Sequence, residues 1–571
     1  MKKVRLIALT VCLAAVFSLF GCRPVQEAAQ EKTPTAEPTA APTSEPTPEP
    51  TPDPEAMIAE AEILEGRHER EKDYSAPFKT HYIDTPVAAV HLEDSADYSE
   101  ETLRALAETV VADVVEIGAR TGTATEKVTV YVVQRMLKER PVLLGDRLFC
   151  TLADVESCVY REALCGACCG LPIPWKQVGL TQYVFGTIDE SELSAYYADD
   201  AHALTASCAA VYLLPAIADE ETVDAATKTA ASMTAFIIEN EGFDAFKAAV
   251  STAEALPAWA VHLGIEAPVL PEGNEQAGIM TAESDRKYLC IIRTDNLTIN
   301  VSEDAFAQTP DELYAFICRL YYGMEFVFSQ IREELPAYET LARERFANGV
   351  SIDLYNPTKG RGSIAASGDS VWLSKESHVW HELVHIVLVE YVNRQDLWWQ
   401  CEALADYYSL RAMTFAIQWE DFTSFEEACR NIGDQPGALR FWKTYWNIYC
   451  AEKAADAVVP QTLYNDYAKE RAIGISELLL TQDPVSWGED PSVGGARGRD
   501  TGDAQTDGNA LSYCEATVML EYLFDTYGAE TVVTGYLNGR PLSETCGKDY
   551  PKLYADCIAY LTETYGLLLA D

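Results

Sequence analysis

Basic residues are scarce in this sequence. Its 571 residues include 43 lysines and arginines against 89 aspartates and glutamates, which gives a formal net charge of -46 at pH 7. A surface this acidic cannot neutralise a run of phosphates, so nucleic acid is excluded as a partner. The same charge argues against docking on an anionic lipid surface and predicts a well-solvated exterior.

Long apolar runs are also missing after the first twenty residues. The run from Leu6 to Phe20 is too short for a comfortable membrane span, and it follows three basic residues as in a signal peptide. It ends in Leu19-Phe20-Gly21-Cys22, which resembles a bacterial lipobox. The resemblance implies removal of residues 1–21 and lipidation of Cys22. The protein would then lie at the extracytoplasmic face of the cell membrane, held there by this lipid alone. An ordinary signal peptide is the alternative.

Residues 22–56 are rich in proline, threonine and glutamate and cannot form a core. Proline favours an extended chain of roughly 3.1 Å per residue, so this segment is predicted to be a stalk. The rest of the chain is too long for one core. A Pro/Gly/Glu-rich break at residues 268–278 predicts one domain at 75–267 and another at 279–571.

Several kinds of active-site motif are absent from the sequence. It has no G-x-S-x-G elbow and no loop with P-loop or EF-hand spacing. Cys165 and Cys168 form a C-x-x-C, but no second pair or histidine follows at zinc-finger spacing. A disulfide or simple burial is favoured there over a metal site. Of the 16 cysteines, Cys12 lies in the signal and Cys22 would carry lipid, and the sequence leaves the pairing of the other 14 open.

Histidine is rare, but it is concentrated in one place. Of the eight histidines in the chain, three are His378, His381 and His385. His381-Glu382-Leu383-Val384-His385 matches H-E-x-x-H in an apolar stretch that predicts a buried helix. Residues four apart share a helix face, so His381 and His385 can bind one ion. We expect Glu382 to take a proton from a metal-activated water.

A third ligand is predicted seventeen residues after His385, at Glu402. Two nitrogens and one carboxylate suit one zinc ion and leave a position for water. Asp406 lies one helical turn after Glu402. It is expected to accept a hydrogen bond from a ligand histidine, as outer partners of metal sites do.

With these residues the chain resembles the gluzincin metallopeptidases, and within them the peptidase MA-like group. Glu402, Ala405 and Tyr407 match an E-x-x-A-x-Y context on the ligand helix, and residues 511–537 are similar to the closing helices of the group. The resemblance covers about residues 285–571. It implies a zincin-like α+β fold in which a small sheet with an edge strand precedes the active-site helix and a helical C-terminal subdomain. It also implies zinc-dependent hydrolysis of peptide or protein substrates.

The resemblance implies two further features. Gluzincins present an edge strand to which an extended substrate adds, and Val371, Trp372 and Leu373 occupy that place in the sequence. An ordinary sheet strand is compatible with the same residues. The group also stabilises the oxyanion with a tyrosine or histidine from the C-terminal helices, for which Tyr513 is the candidate. A packing role is the alternative for Tyr513.

A local pattern in the first half predicts an internal duplication. Residues 157–165 align with residues 377–385, and the spacing from Trp175 to Tyr183 equals that from Trp399 to Tyr407. The positions of the three ligands then read Arg161, Cys165 and Val178. The first copy is therefore predicted to be degenerate and to bind no metal.

Two functions fit the sequence. The first is a zinc endopeptidase or aminopeptidase at the cell surface. The second is a non-catalytic surface binding or scaffold protein that retains a structural zinc site. Glu382 favours the enzyme, because a structural zinc site needs no neighbouring carboxylate and more often has histidine or cysteine in all four positions.

Overall fold

The structure is a computed structural model, and it describes residues 53–59, 61–68, 77–136, 141–144, 147–277, 280–285, 287–355, 365–367, 369–374, 376, 379–388, 398–416 and 519–565. Within these ranges the protein is mixed α+β, with small mixed sheets. Cys22, His378 and Tyr513 lie outside the described residues. Among the helices that the structure describes, none is both long enough and apolar enough to cross a membrane.

The first sheet is built before residue 151 and has six described strands. A short helix precedes it and a long helix joins its third and fourth strands. The elements are α1 (Pro54–Ala59), β1 (Ile63–His68), β2 (Phe78–Asp84), β3 (Ala88–Glu93), α2 (Glu100–Thr121), β4 (Val128–Val132), β5 (Val142–Leu144) and β6 (Arg147–Cys150). The strand order is β1-β2-β3-β4-β6-β5, with β3, β4 and β6 parallel.

Alternating apolar residues explain how this sheet packs. Val128, Val130 and Val132 of β4 point to one face, and all three are buried. Helix α2 covers that face with an apolar stripe. The Ser99 side chain accepts a hydrogen bond from the Thr102 amide and caps the start of α2. The sequence thus fixes both the strand period and the helix start.

The folded part begins earlier than residue 75, where the sequence predicted it. Strand β1 pairs with β2, and Ile58 of α1 is buried in the first core. The end of the predicted stalk, residues 54–56, belongs to α1. The charged residues between β1 and β2 concealed this strand, because they resemble an exposed linker more than a hairpin connection.

Helices complete the first half. They are α3 (Cys158–Cys169), α4 (Pro174–Phe185), α5 (Leu193–Tyr196), α6 (Glu220–Glu241), α7 (Phe243–Ala248) and α8 (Leu256–Leu263), with 3-10 turns at Asp200–Ser207 and Ala210–Leu213. The short helix α9 (Asn274–Ala277) follows and packs on the second core. Helix α4 packs so closely on α6 at Gly179 that a β-carbon there would overlap the Thr234 hydroxyl. This close contact ties the helical layer together.

The second sheet also has six described strands. Its strands and the helices among them are β7 (Thr281–Glu283), β8 (Cys290–Arg293), β9 (Leu297–Val301), α10 (Pro310–Glu334), α11 (Glu339–Ala347), β10 (Val350–Leu354), β11 (Ala365–Ser367) and β12 (Ser370–Leu373), with a 3-10 turn at Pro336–Tyr338. Thr309 and Glu312 form a capping box at the start of α10. The following helices are α12 (Val379–Val387), α13 (Trp398–Ala416), α14 (519–527), α15 (Ala529–Leu537), α16 (Leu542–Cys546) and α17 (Tyr550–Tyr565).

The two sheets have the same strand order and the same strand directions. The second runs β7-β8-β9-β10-β12-β11, which matches the first position by position. In each sheet the first three strands in chain order pair antiparallel with their neighbours. The third strand pairs parallel with the fourth, and the sixth strand in chain order lies parallel beside the fourth. A helix pair follows each sheet, α3 with α4 and α12 with α13.

One segment of the first half is buried in the core of the second. Val211 and Tyr212 have no exposed surface and pack with the residues of α10, and the Tyr212 ring lies 5.8 Å from that of Tyr314. We call residues 209–214 the bridging segment. Its neighbours Ala206 and Cys208 belong to the first core. The bridging segment therefore connects the two cores.

Helix α10 sets the position of α12. The Trp380 indole lies against Gly323, and its Nε1 donates a hydrogen bond to the Leu320 carbonyl at 3.4 Å. Arg319 holds Glu376, just before α12, with two bonds of 2.5 and 2.9 Å. The Trp380 indole fits against α10 only where the residue has no side chain, so Gly323 allows α12 to approach closely.

Replacing Gly323 with alanine is expected to destabilise the protein by about 1–3 kcal/mol, because the new β-carbon would overlap the Trp380 ring. Urea unfolding followed by circular dichroism measures the change. Gly118→Ala is the matched control. It is also a helical glycine, but its β-carbon would meet only ordinary contacts at 3.4 and 3.5 Å. Equal unfolding midpoints for the two variants would contradict the proposed role of Gly323.

Candidate metal centre

Helix α12 carries the two histidines on a largely buried face. Val379, Trp380 and Leu383 have no exposed surface, so the apolar residues fix the rotation of the helix against the core. His381 and His385 then project from the same side. The His385 residue is 8% exposed, and the His381 side chain is 12% exposed. Both imidazoles are therefore largely shielded from water.

Helix α13 brings the carboxylate of Glu402 to these histidines. Glu402 Oε2 lies 3.1 Å from His381 Nε2 and 3.4 Å from His385 Nε2, and the two Nε2 atoms are 3.1 Å apart. The three atoms form a nearly equilateral triangle. Among the described residues, His381, His385 and Glu402 are the one group of His, Cys, Asp and Glu side chains close enough to hold a metal ion together.

The other ring nitrogen of each histidine also has a partner from α13. His381 Nδ1 lies 2.7 Å from Asp406 Oδ1, as the spacing of Glu402 and Asp406 predicts. His385 Nδ1 lies 3.3 Å from the sulfur of Cys401. Cys401 was not among the site residues predicted from the sequence. Its position next to Glu402 is the one feature of the sequence that points to it. That feature is weak evidence, because buried cysteines commonly serve as small apolar residues.

The acidic partners of the two imidazoles favour positive charge at this site. Burial lowers the pKa of His385, but its bonds to Cys401 and Glu402 outweigh burial and raise it to about 10. Burial opposes a charged His381 as well, yet Asp406 and Glu402 raise its pKa well above the usual value. Burial raises the pKa of Glu402, whereas the two histidines hold it at about 2. The cluster therefore favours a cation.

Glu382 lies beside the cluster without belonging to it. It is 6% exposed, and burial raises the pKa of its carboxyl group while the charges of His381 and His385 lower it. A carboxylate with a raised pKa, next to a cationic site, is suited to accept and return a proton. The role of general base expected of Glu382 from the sequence stays a prediction.

The predicted substrate strand is not at the edge of the sheet. Val371, Trp372 and Leu373 lie in β12, which pairs with β10 on one side and with β11 on the other. The described edge is β11, Ala365–Ser367, which also contacts α12. The prediction placed the edge one strand too late, because such short apolar runs do not indicate which strand of a hairpin is the outer one.

The corresponding positions of the first half hold no ligand set. Arg161 makes two bonds of 3.3 Å to Asp113, and its guanidinium lies 4.5 Å from the centre of the Phe185 ring. Cys165 and Val178 are buried. Burial raises the pKa of the Cys165 thiol, which keeps the sulfur protonated.

The cysteines of the first-half C-x-x-C are unpaired in the structure. Cys165 and Cys168 are both free and buried. Of the two alternatives favoured by the sequence, a disulfide or simple burial, the structure has burial. These thiols act as small apolar side chains in the first core.

Comparison with known proteins adds no family to this geometry. No protein-family model matches the chain, and no curated protein or solved structure matches it.

Proposed function

We propose that the protein is a zinc-dependent peptidase of gluzincin type, with His381, His385 and Glu402 as metal ligands. The observation that carries the proposal is the triangle of two imidazole nitrogens and one carboxylate oxygen at 3.1–3.4 Å. Zinc bonds of about 2.0–2.1 Å in a tetrahedron require ligand atoms about 3.3 Å apart. The spacing of the donor atoms fits zinc.

The chemistry of the donors supports the same ion. Calcium and magnesium prefer oxygen ligands, whereas zinc accepts imidazole nitrogen. Three protein donors leave the fourth tetrahedral position for water or substrate, as in catalytic rather than structural sites. A bound zinc ion would supply Lewis acidity and lower the pKa of water. Asp406 and Cys401 contact the Nδ1 atoms of His381 and His385, and the Nε2 atoms of both rings are corners of the triangle.

Glu382 supplies the proton transfers in this proposal. Its carboxylate accepts the proton of the attacking water and then carries it to the amine that leaves. Burial favours this exchange, because it raises the pKa of Glu382 toward the range in which a carboxyl group both binds and releases a proton. Tyr513 remains the candidate for the oxyanion.

A zincin-like arrangement of the second half is part of the proposal. An antiparallel outer strand, β11, is followed by β12 and then by α12. An extended peptide that added to β11 would run along the side of the sheet that contacts α12. Peptide or protein is therefore the proposed substrate.

We also propose that the chain arose by internal duplication and that the first copy lost its site. The identical strand order of the two sheets supports this. So do two helix–glycine–helix corners, at Gly242 between α6 and α7 and at Gly528 between α14 and α15, where φ is +92° and +84°. Positive φ favours glycine, so both copies would keep it. Arg161, Cys165 and Val178 stand where the ligands would be.

The proposed place of action is the extracytoplasmic face of the cell membrane. It depends on the sequence before residue 23, with its basic start, short apolar run and Cys22. Lipidation of Cys22 would supply the membrane attachment, and the net charge of -46 gives no other attraction to an anionic bilayer. The stalk would separate the peptidase from the surface.

The zinc content of the purified full-length chain tests the metal proposal. We expect about one zinc ion per chain, because the structure offers one ligand triangle among its described residues. Glu402→Ala is expected to lose the ion on dialysis, since it removes one of three protein ligands. Atomic absorption spectroscopy gives both values and needs no substrate.

Glu162→Ala is the control, because Glu162 is the first-half counterpart of Glu382 and should leave zinc unchanged. Folded wild-type protein without zinc would contradict the peptidase proposal and leave the surface binding protein as the better one. Two zinc ions would contradict the degenerate first copy.

A further inference from the structure

The two candidate metal histidines are held by unlike partners. His381 Nδ1 lies on the carboxylate of Asp406 at 2.7 Å, and His385 Nδ1 lies on the thiol of Cys401 at 3.3 Å. Both partners belong to α13, which also supplies Glu402. Cys401 immediately precedes Glu402, so one turn of helix contacts His385 twice.

The direction of the imidazole decides what the sulfur does. His385 Nε2 faces Glu402 and His381, so in a metal-bound site this nitrogen must offer its lone pair. The proton of the neutral ring then lies on Nδ1, which points at Cys401. The sulfur is in position to accept that hydrogen bond.

Burial makes the contact with sulfur necessary. Cys401 is 5% exposed and His385 is 8% exposed, so water has little access to take the place of the thiol. A buried N–H group without an acceptor is unfavourable, and the ring would gain by turning Nδ1 toward another partner. Such a turn would move Nε2 away from the triangle.

We infer that Cys401 is a positioning residue that fixes the tautomer and the orientation of His385 toward the metal. The inference rests on the proposed function. It separates Cys401 from Cys318 of α10, which is fully buried in the same core but has Tyr314 rather than a ligand histidine as its hydrogen-bond partner. Outer partners of metal ligands change metal affinity when removed, whereas packing residues change stability.

The test compares zinc affinity in full-length chains that carry Cys401→Ala, Cys401→Ser or Cys318→Ala. A chromophoric chelator competes for zinc, and thermal unfolding of the metal-free chains is measured beside it. We expect Cys401→Ala to bind zinc about 10- to 100-fold more weakly. Cys401→Ser should recover most of the affinity, because a hydroxyl oxygen can accept from Nδ1. Cys318→Ala should lower stability without changing affinity.

Three outcomes would overturn the inference while the peptidase proposal stands. They are unchanged affinity in Cys401→Ala, an equal loss in the serine variant, and an equal loss in Cys318→Ala. Absence of zinc from the wild-type chain would remove the peptidase proposal and this inference together. Zinc binding by the wild-type chain therefore distinguishes failure of the Cys401 inference from failure of the peptidase proposal.

Discussion

Glu382→Gln is expected to lower peptide hydrolysis by about 10²- to 10⁴-fold and to leave zinc binding and folding at wild-type levels. Glutamine has almost the same shape as glutamate but cannot accept the proton. Glu382 is not one of the three converging ligands, so its replacement leaves the triangle of donor atoms intact. Because the side chain is buried, another base cannot easily replace it from solvent.

A mixture of quenched fluorescent peptides is the probe, since it requires no knowledge of the preferred sequence. Wild-type cleavage that a chelator abolishes comes first, and the variant is then measured at equal zinc content. Glu162→Gln in the first half is the matched control and should retain full activity. Zinc-loaded Glu382→Gln that cleaves at the wild-type rate would exclude Glu382 as the base.

A chain reduced to residues 279–571 is expected not to fold. The second core would lose the bridging segment, whose Val211 and Tyr212 are fully buried there. Burying one such side chain contributes about 1.5–3 kcal/mol. Several together approach the about 5–15 kcal/mol by which a whole domain is stable. Circular dichroism and thermal unfolding of the truncated chain provide the measurement.

Point variants of the full chain separate this effect from an arbitrary choice of boundary. Tyr212→Ala should lower the unfolding temperature strongly, because it opens a cavity beside Tyr314. Tyr288→Ala, a partly exposed tyrosine of the second half, should change it little. A truncated chain that unfolds cooperatively at the wild-type temperature would show that the second half needs no bridging segment.

The candidate ligand residues were predictable because their positions on each helix depend on local spacing. Residues four apart on a helix share a face whatever the rest of the chain does, so H-E-x-x-H brings His381 and His385 together. Glu402 and Asp406 share a face for the same reason, and the structure has Asp406 at His381. The shared face on each helix needed only the helical period, and the meeting of the two faces was predicted from the preference of zinc for a third ligand.

Other features depend on contacts between distant parts of the chain, and the sequence did not reveal them. Cys401 meets His385 only because of how closely α13 approaches α12. The outer position of β11 follows from strand pairing. The bridging segment has the composition of an ordinary apolar loop, and nothing in its own sequence indicates that it is buried in the second core. Tertiary packing decides each of these, and residue periodicity does not.

The bridging segment also affects how the protein folds while it is being synthesised. The ribosome completes residues 209–214 well before α10, whose side chains bury them in the finished molecule. During that interval Val211 and Tyr212 have no core to enter, and they remain as an apolar surface on a nascent chain. The first half can therefore form its sheet early, but the molecule becomes stable only when the second half closes over that segment.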